Sequence, residues 1–341
     1  MSAQIKFAVD VKLFPILKEA GDKGIDPQDL SSKTGVDILL LERLLRHLTA
    51  MFLVTYQEGK YHGTTLSNGL AEEKYQHSVS FCYDVARPSF NGFPDYFKKT
   101  GYKQPSSLTD GPFQEAHGTK LPFFDWLVAT PPHLQHFDSF MGAYRAGKPN
   151  WYDPGFYPVP ERLVEGFDAS VSEVLLVDVG GGKGHDMVAF AAQHASHPGK
   201  IILQDREPVI AGVIEESSVT LPFSAQAHDF FTPQPVKFAR AYSLHSILHD
   251  WGDEDGVKIL QNLTPALKKG YSRVLFNEIV LSQEKPTLAA TSMDMMMLAH
   301  FAVRERTEAD WKAILAKVGL KVVNIYTYPG VAESLIEAEL A

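Results

Sequence analysis

The chain of 341 residues has one cysteine, Cys82. It cannot close an internal disulfide, which excludes a small disulfide-stapled fold and points to a reducing compartment. Long apolar runs are missing too. None approaches the roughly twenty residues of a membrane span, and the N-terminus has no signal-type apolar stretch. Positive charge is in deficit: 32 Lys and Arg stand against 41 Asp and Glu, a formal net charge of -9. Electrostatic capture of nucleic acid or of an anionic membrane is therefore not expected. The expected location is cytoplasmic. What is present, 45% hydrophobic and 21% charged residues, is ordinary globular composition, and the length allows two domains with a sizeable core.

The stretch that organises the chain is VLLVDVGGGKGHD, Val174 to Asp186. An apolar run broken only by Asp178 ends in three consecutive glycines, a lysine and a fourth glycine. That pattern predicts a buried parallel strand, then a turn needing φ > 0 without a Cβ, then a helix. Gly180, Gly182 and Gly184 share a G-x-G-x-G spacing that lets backbone approach a ligand at a helix N-terminus. A tight turn without a ligand is the plainer reading of the same glycines. A second apolar run, KIILQ, ends on Asp205, near the spacing expected of a ribose-binding acid. With Asp178 just before a G-G-G-K-G loop, a zwitterionic sulfonium nucleoside is favoured over a dinucleotide pyrophosphate.

Six motifs in order, DVGGGKGH, LQD, AHDFF, ILHDW, NEIV and RERTE, cover nearly the whole chain. On these the sequence resembles the S-adenosylmethionine-dependent O-methyltransferases of the plant and fungal caffeate type. The resemblance implies a Rossmann-like, doubly wound α/β catalytic domain and an N-terminal, mainly helical winged-helix domain. The cofactor is then S-adenosyl-L-methionine, with no metal, and the assembly a homodimer. Cofactor contacts fall on Asp178, Gly180, Gly182, Asp205, Arg206, Asp229, Phe230 and His245. Two of these depart from the family pattern: Arg206 replaces an apolar residue, and His245 replaces Lys or Arg.

In the first half, Ile5 to Leu17 predicts an amphipathic helix interrupted at Pro15. Asp26-Pro27 and Asp37 read as helix starts, with Leu40, Leu41, Leu44, Leu45 and Leu48 as an apolar stripe. A Glu58-Gly59 turn between short β-prone runs predicts a hairpin. Together these look like a winged helix, either a DNA reader or a protein scaffold. Asp37 to Met51 carries only Arg43 and Arg46, too little charge for a recognition helix. The resembling family uses such a module to dimerise and to cover the active site, and usually has further helices ahead of it. Gly101 to Gly118 reads as a loop by composition. Lys120–Val128 and His133–Arg145 read as aromatic-rich amphipathic helices, and Asn150 to Pro160 as the link between halves. The expected domains are 1–150, dimerisation and lid, and 151–341, cofactor binding and catalysis.

In the second half, apolar runs at Val174–Val179, Ile201–Gln204, Ala239–Leu244, Arg273–Ile279 and Lys321–Tyr326 alternate with helical segments. They predict a parallel sheet with ligands at its carboxyl edge, and Ala332–Leu340 a final antiparallel strand. Moving a methyl group from a sulfonium to a hydroxyl needs an aligned acceptor and a base for its proton. Among 13 histidines, His249 is singled out by its place after a strand in ILHDW. Glu278 and Glu305 lie where either could orient its imidazole; in the family these positions are the catalytic base and its flanking acids. Phe140, Met141, Met296, Met297 and His300 are the expected acceptor lining, though aromatic and methionine stripes are more often plain core. Ala302-Val303 replaces a glycine-containing turn of the family, which could narrow the acceptor pocket or rotate Glu305. The expected reaction is methylation of a phenolic or enolic hydroxyl of a small aromatic or polyketide-like metabolite. The alternative keeps the cofactor but uses it to steer a dehydration or pericyclic rearrangement.

Overall fold

The computed structural model describes residues 2–144, 146–216 and 220–341. The chain divides into two compact units, one of residues 1–103 and 107–146, the other of 104–106 and 147–341.

The first unit begins with α1 (Ser2–Asp10) and α2 (Leu13–Ala20). The interruption falls at Lys12, φ 56°, and not at the proline. Pro15 lies in the first turn of α2, where its missing N–H removes no intrahelical bond. α3 (Pro27–Thr34) and α4 (Ile38–Ala50) are capped by the Asp26 and Asp37 carboxylates, as such residues cap orphan N–H groups. β1 (Val54–Gln57) and β2 (Lys60–Gly63) pair antiparallel through a turn with Glu58 and Gly59 at positive φ. Leu41, Leu44, Leu45 and Leu48 join Phe14, Leu17 and Leu30 in the core. Leu40 leaves the expected stripe: it is exposed, as are Leu39, Phe52 and Leu66.

α5 (Thr65–Leu70), α6 (Glu73–Ser80), α7 (Arg87–Asn91) and α8 (Phe93–Lys99) follow. The segment expected to be a loop holds a further helix, α9 (Pro112–His117). Proline at its first position and Gln114, which accepts from Gly111 N and donates to the Leu108 and Leu121 carbonyls, close it locally. α10 (Phe123–Ala129) and α11 (His133–Tyr144) complete the unit; the expected end at Arg145 lies outside the described residues. Phe81, Phe113, Phe123 and Phe137 pack edge to face between these helices.

The second unit is built on β3 (Val174–Val179), β4 (Lys200–Asp205), β5 (Ser224–Ala227), β6 (Ala241–His245) and β7 (Arg273–Leu281), with β8 (Arg306–Thr307), β9 (Leu320–Thr327) and β10 (Glu333–Leu340). The order β5-β4-β3-β6-β7-β10-β9 is parallel from β5 to β7. β10 runs antiparallel to both β7 and β9, and β8 pairs beside the end of β7. α12 (His185–Gln193), α13 (Glu207–Glu216), α14 (Asp253–Leu263), α15 (Leu288–Phe301) and α16 (Glu308–Ala316) connect the strands. Alternate strand residues feed two cores, one around Val177, Tyr242, Phe276 and Trp311, the other around Leu176, Leu203 and Leu275. Strand order reverses between β3 and β6, which opens a crevice at their carboxyl ends.

The segment expected to link the halves is part of this second core. Trp151, Tyr152, Phe156 and Tyr157 are buried, and Trp151 and Tyr152 pack on Phe190 of α12. Local proline and tyrosine content resembles a loop, but four large side chains bury more apolar area than a solvent-exposed link would.

Candidate active site

The glycine turn after β3 has the conformation its sequence demands. Gly180, Gly182 and Gly184 all have positive φ, where a Cβ is strained. Gly180 N and Gly181 N donate to the Gln204 carbonyl of the neighbouring strand at 2.8 and 3.1 Å. A Cβ at Gly181 would collide with the Asp178 carboxylate, and one at Gly180 would sit 2.6 Å from Ile247 Cδ1. At Gly182 a Cβ would meet nothing within 4 Å, so that stretch of backbone faces open space.

Acids surround this turn. Asp205, at the end of β4, accepts from Gly182 N at 2.9 Å through Oδ2 and from Arg206 N at 2.7 Å through Oδ1. Each carboxylate oxygen keeps a further lone pair for a ligand hydroxyl. Asp178 is buried and accepts from Ser243 Oγ at 2.9 Å; burial and the neighbouring Asp186 raise its carboxyl to about 7. His245 Nδ1 lies 2.5 Å from Asp186 Oδ2. Asp229 is exposed and accepts from Phe231 N, and Phe230 packs at 6.0 Å from Trp251. The Arg206 side chain is exposed. An open backbone cradle beside half-buried and buried carboxylates suits a nucleoside carrying positive charge, and so fits the sulfonium cofactor.

The second half of the site is the short turn Leu248–Asp250 after β6. His249 is 8% exposed, with Nδ1 2.9 Å from Glu305 Oε1 and Nε2 3.5 Å from Asp250 Oδ1. Burial opposes the charged imidazole, but Asp250, Glu305 and Glu278 outweigh it and raise its pKa well above the ordinary value. Burial also raises the Asp250 and Glu278 carboxyls, to about 7 each, with the imidazolium pulling the other way. Glu278 does not touch the imidazole nitrogens as expected. Its Oε1 accepts from Ile247 N and Leu248 N at 2.9 and 2.8 Å and holds the backbone of the turn. The carboxylates on the ring nitrogens are Glu305 and, more distantly, Asp250; the Glu305 N–H donates to Asp294 Oδ1.

Ala302 caps α15 at φ 56°, the left-handed position that a glycine would occupy without strain. With Ala302 in that position, Glu305 Oε1 lies 2.9 Å from His249 Nδ1. Met297 and His300 are buried on α15 and Met296 is half-buried. In the first unit Phe140 borders a cavity of about 420 Å³, and Met141 is exposed. Asp250, Asp186, Ser243 and Arg306 were not singled out from the sequence. Asp250 and Arg306 stand inside the ILHDW and RERTE motifs, which is the signal that could have found them.

An O-methyltransferase domain model matches residues 159–321, and an O-methyltransferase dimerisation domain model matches residues 1–73. O-methyltransferase mpaG of Penicillium roqueforti (strain FM164) is 63% identical over 342 residues, covering 100% of this chain and 85% of that one. O-methyltransferase mfmE of Annulohypoxylon moriforme is 34% identical, covering 100% of this chain and 83% of its own length. A solved structure of LepI in complex with SAM superposes with a TM-score of 0.91 at 27% identity, covering 100% of this chain and 86% of that chain. A further structure with the same TM-score and identity is described as a pericyclic reaction enzyme.

Proposed function

The chain belongs to the O-methyltransferase family and is an S-adenosyl-L-methionine-dependent enzyme, and from that premise we propose that it methylates a phenolic or enolic hydroxyl of a small aromatic or polyketide-like metabolite, with His249 as general base. The observation that carries the reading is the 2.9 Å pairing of His249 Nδ1 with the buried Glu305 carboxylate. That pairing supports a tautomer with the imidazole proton on Nδ1 and Nε2 as the acceptor of the substrate proton.

When bound, S-adenosyl-L-methionine supplies an electrophilic methyl group on a sulfonium. Gly180 and Gly182 would give it close backbone approach, and Asp205 would take its ribose hydroxyls. Asp229 and Phe230 would meet the adenine, His245 and Arg206 would border it, and Asp178 would offset positive charge beneath the turn. On the acceptor side, His249 Nε2 removes the hydroxyl proton. The imidazolium that forms is stabilised by Glu305 and Asp250, as opposite charges within a few ångströms favour the charged form. Glu278 fixes the turn that carries the base. Met296, Met297 and His300 on α15 supply acceptor contacts. The dimerisation-domain match and the exposed Leu39, Phe52 and Leu66 support a homodimer formed through the 1–150 domain, leaving 151–341 for catalysis.

A second reading keeps the cofactor and drops the transfer, and the 27% identical pericyclic enzyme with a TM-score of 0.91 favours it. Incubation with a panel of phenols and quantification of S-adenosylhomocysteine separates the two. Product formed in step with a methyl ether supports transfer. Cofactor that binds and is never consumed, while an acceptor is rearranged, supports the second reading.

A further inference from the structure

We propose that Arg306 is a positioning residue that sets the backbone turn carrying His249; the proposal rests on the reading of His249 as base. Arg306 is 2% exposed and leaves β8 beside Val280 of β7. Its Nη1 donates to the Leu248 carbonyl at 2.6 Å, its Nη2 to the Trp251 carbonyl at 2.8 Å, and its Nε to Asp253 Oδ1 at 2.9 Å. The two carbonyls bracket His249 along the chain. Glu278 holds the turn from its other polarity, accepting the N–H groups of Ile247 and Leu248. Residues 305 and 306 therefore act as adjacent grips. Glu305 fixes the imidazole ring, and Arg306 fixes the peptide units from which that ring projects.

The chemistry suits only a guanidinium. Its planar fork reaches two carbonyls and a carboxylate at once, where an ammonium presents a single point charge. Its fixed positive charge also lies in a region with two buried acids, Glu278 and Glu305, and the partly buried Asp250. A shift of the turn by about 1 Å would move Nε2 off the acceptor hydroxyl, and misplacements of that size cost up to roughly 100-fold in rate.

The test compares Arg306→Lys and Asp253→Ala with the wild-type full chain. Turnover is measured as S-adenosylhomocysteine release, cofactor affinity by calorimetry, and the His249 ring by long-range proton–nitrogen correlation on imidazole-labelled protein. Arg306→Lys is expected to lower kcat by about 10- to 100-fold, to keep cofactor affinity within about threefold, and to move the His249 ring signals. Asp253→Ala, which removes only a half-exposed partner of the guanidinium, is expected to do the same to a smaller extent. The ring signals are read without turnover, so they decide the role of Arg306 even where a His249→Ala control keeps the wild-type rate and defeats the base assignment. Unchanged kcat and ring signals in a folded Arg306→Lys chain overturn the proposal, as does a fall in rate matched by an equal fall in cofactor affinity. Should Arg306→Lys not fold, wild-type rate and ring signals in Asp253→Ala overturn it.

Discussion

Glu305 Oε1 lies 2.9 Å from His249 Nδ1, and the Glu305 side chain is wholly withdrawn from solvent. In the proposed reaction that pairing leaves Nε2 to accept the substrate proton, which makes the pair the most informative place to perturb.

Replacing His249 with Ala or Gln is expected to lower methyl transfer by roughly 10²- to 10⁴-fold, the span that general-base catalysis usually supplies. Calorimetric cofactor affinity should stay near wild type. Residual turnover should rise with pH as a phenol, pKa near 10, ionises unaided. A variant that turns over a weakly acidic phenol at the wild-type rate would sink the assignment.

The pH profile follows from the neighbouring acids. Asp250, Glu305 and Glu278 raise the His249 pKa, so the imidazole keeps its proton to higher pH than a free histidine, and the acidic limb of kcat should lie above about 6.5. Glu305→Gln removes one of these charges and is expected to move that limb to lower pH while reducing the plateau. Glu278→Gln keeps an acceptor oxygen for Ile247 and Leu248 N–H and should harm turnover less. A limb that stays in place in Glu305→Gln contradicts the electrostatic account.

Asp205→Ala removes a carboxylate from the ribose position and from Gly182 N. Cofactor binding should weaken by about 1.5–3 kcal/mol, the range for charge-assisted hydrogen bonds. Titration calorimetry on the folded variant reads it directly, and unchanged affinity would place the cofactor elsewhere.

Asp178 gives a stability signature of defined sign. Its folded carboxyl sits at about 7 against an ordinary 3.8, so the folded state holds that proton more tightly than the unfolded chain. Stability from this group is therefore present at low pH and lost as pH rises from about 4 to about 7. Asp178→Asn keeps an oxygen for Ser243 Oγ and cannot ionise. Melting experiments across that window should show the variant gaining on wild type by roughly 1–3 kcal/mol; parallel curves would contradict it.

Gly180→Ala and Gly182→Ala separate packing from ligand approach. Both positions have positive φ, which costs about 1–2 kcal/mol in an L-residue. Only at position 180 does the new methyl press on Ile247, in the loop leading to the His249 turn. Gly180→Ala should therefore cost more stability and lower kcat, whereas Gly182→Ala should chiefly weaken cofactor binding. Equal melting midpoints for the two would argue against this division.

Much of this molecule was legible from local pattern. Asp26 and Asp37 announce their helices because capping is decided within three residues, and the glycine turn declares itself through φ. Asp205 could be placed because the β4 run ends on it. The readings that failed depended on distant partners. Trp151 to Tyr157 reads as a link until α12 is known to pack on it. Leu40 belongs to an apolar stripe by spacing, yet the helix turns it outward. Glu278 lies close to His249 in the fold, but which groups its oxygens take is fixed by the path of residues 247 and 248. Arg306 lies inside the RERTE motif, but the carbonyls its guanidinium holds are more than fifty residues away, and sequence alone does not pair them.

One consequence lies in β6. Ser243 and His245 point to the same side of that strand and meet Asp178 and Asp186 respectively, while Ile247 touches Gly180 and His249 meets Glu305. Two contacts on the strand and two on the turn that follows it fix the interval from Ser243 to His249. Gaining or losing one residue there would part His245 from Asp186 or carry His249 away from Glu305. Natural length variation in close relatives should therefore be absent from this interval and collect in connections such as the one between α13 and β5.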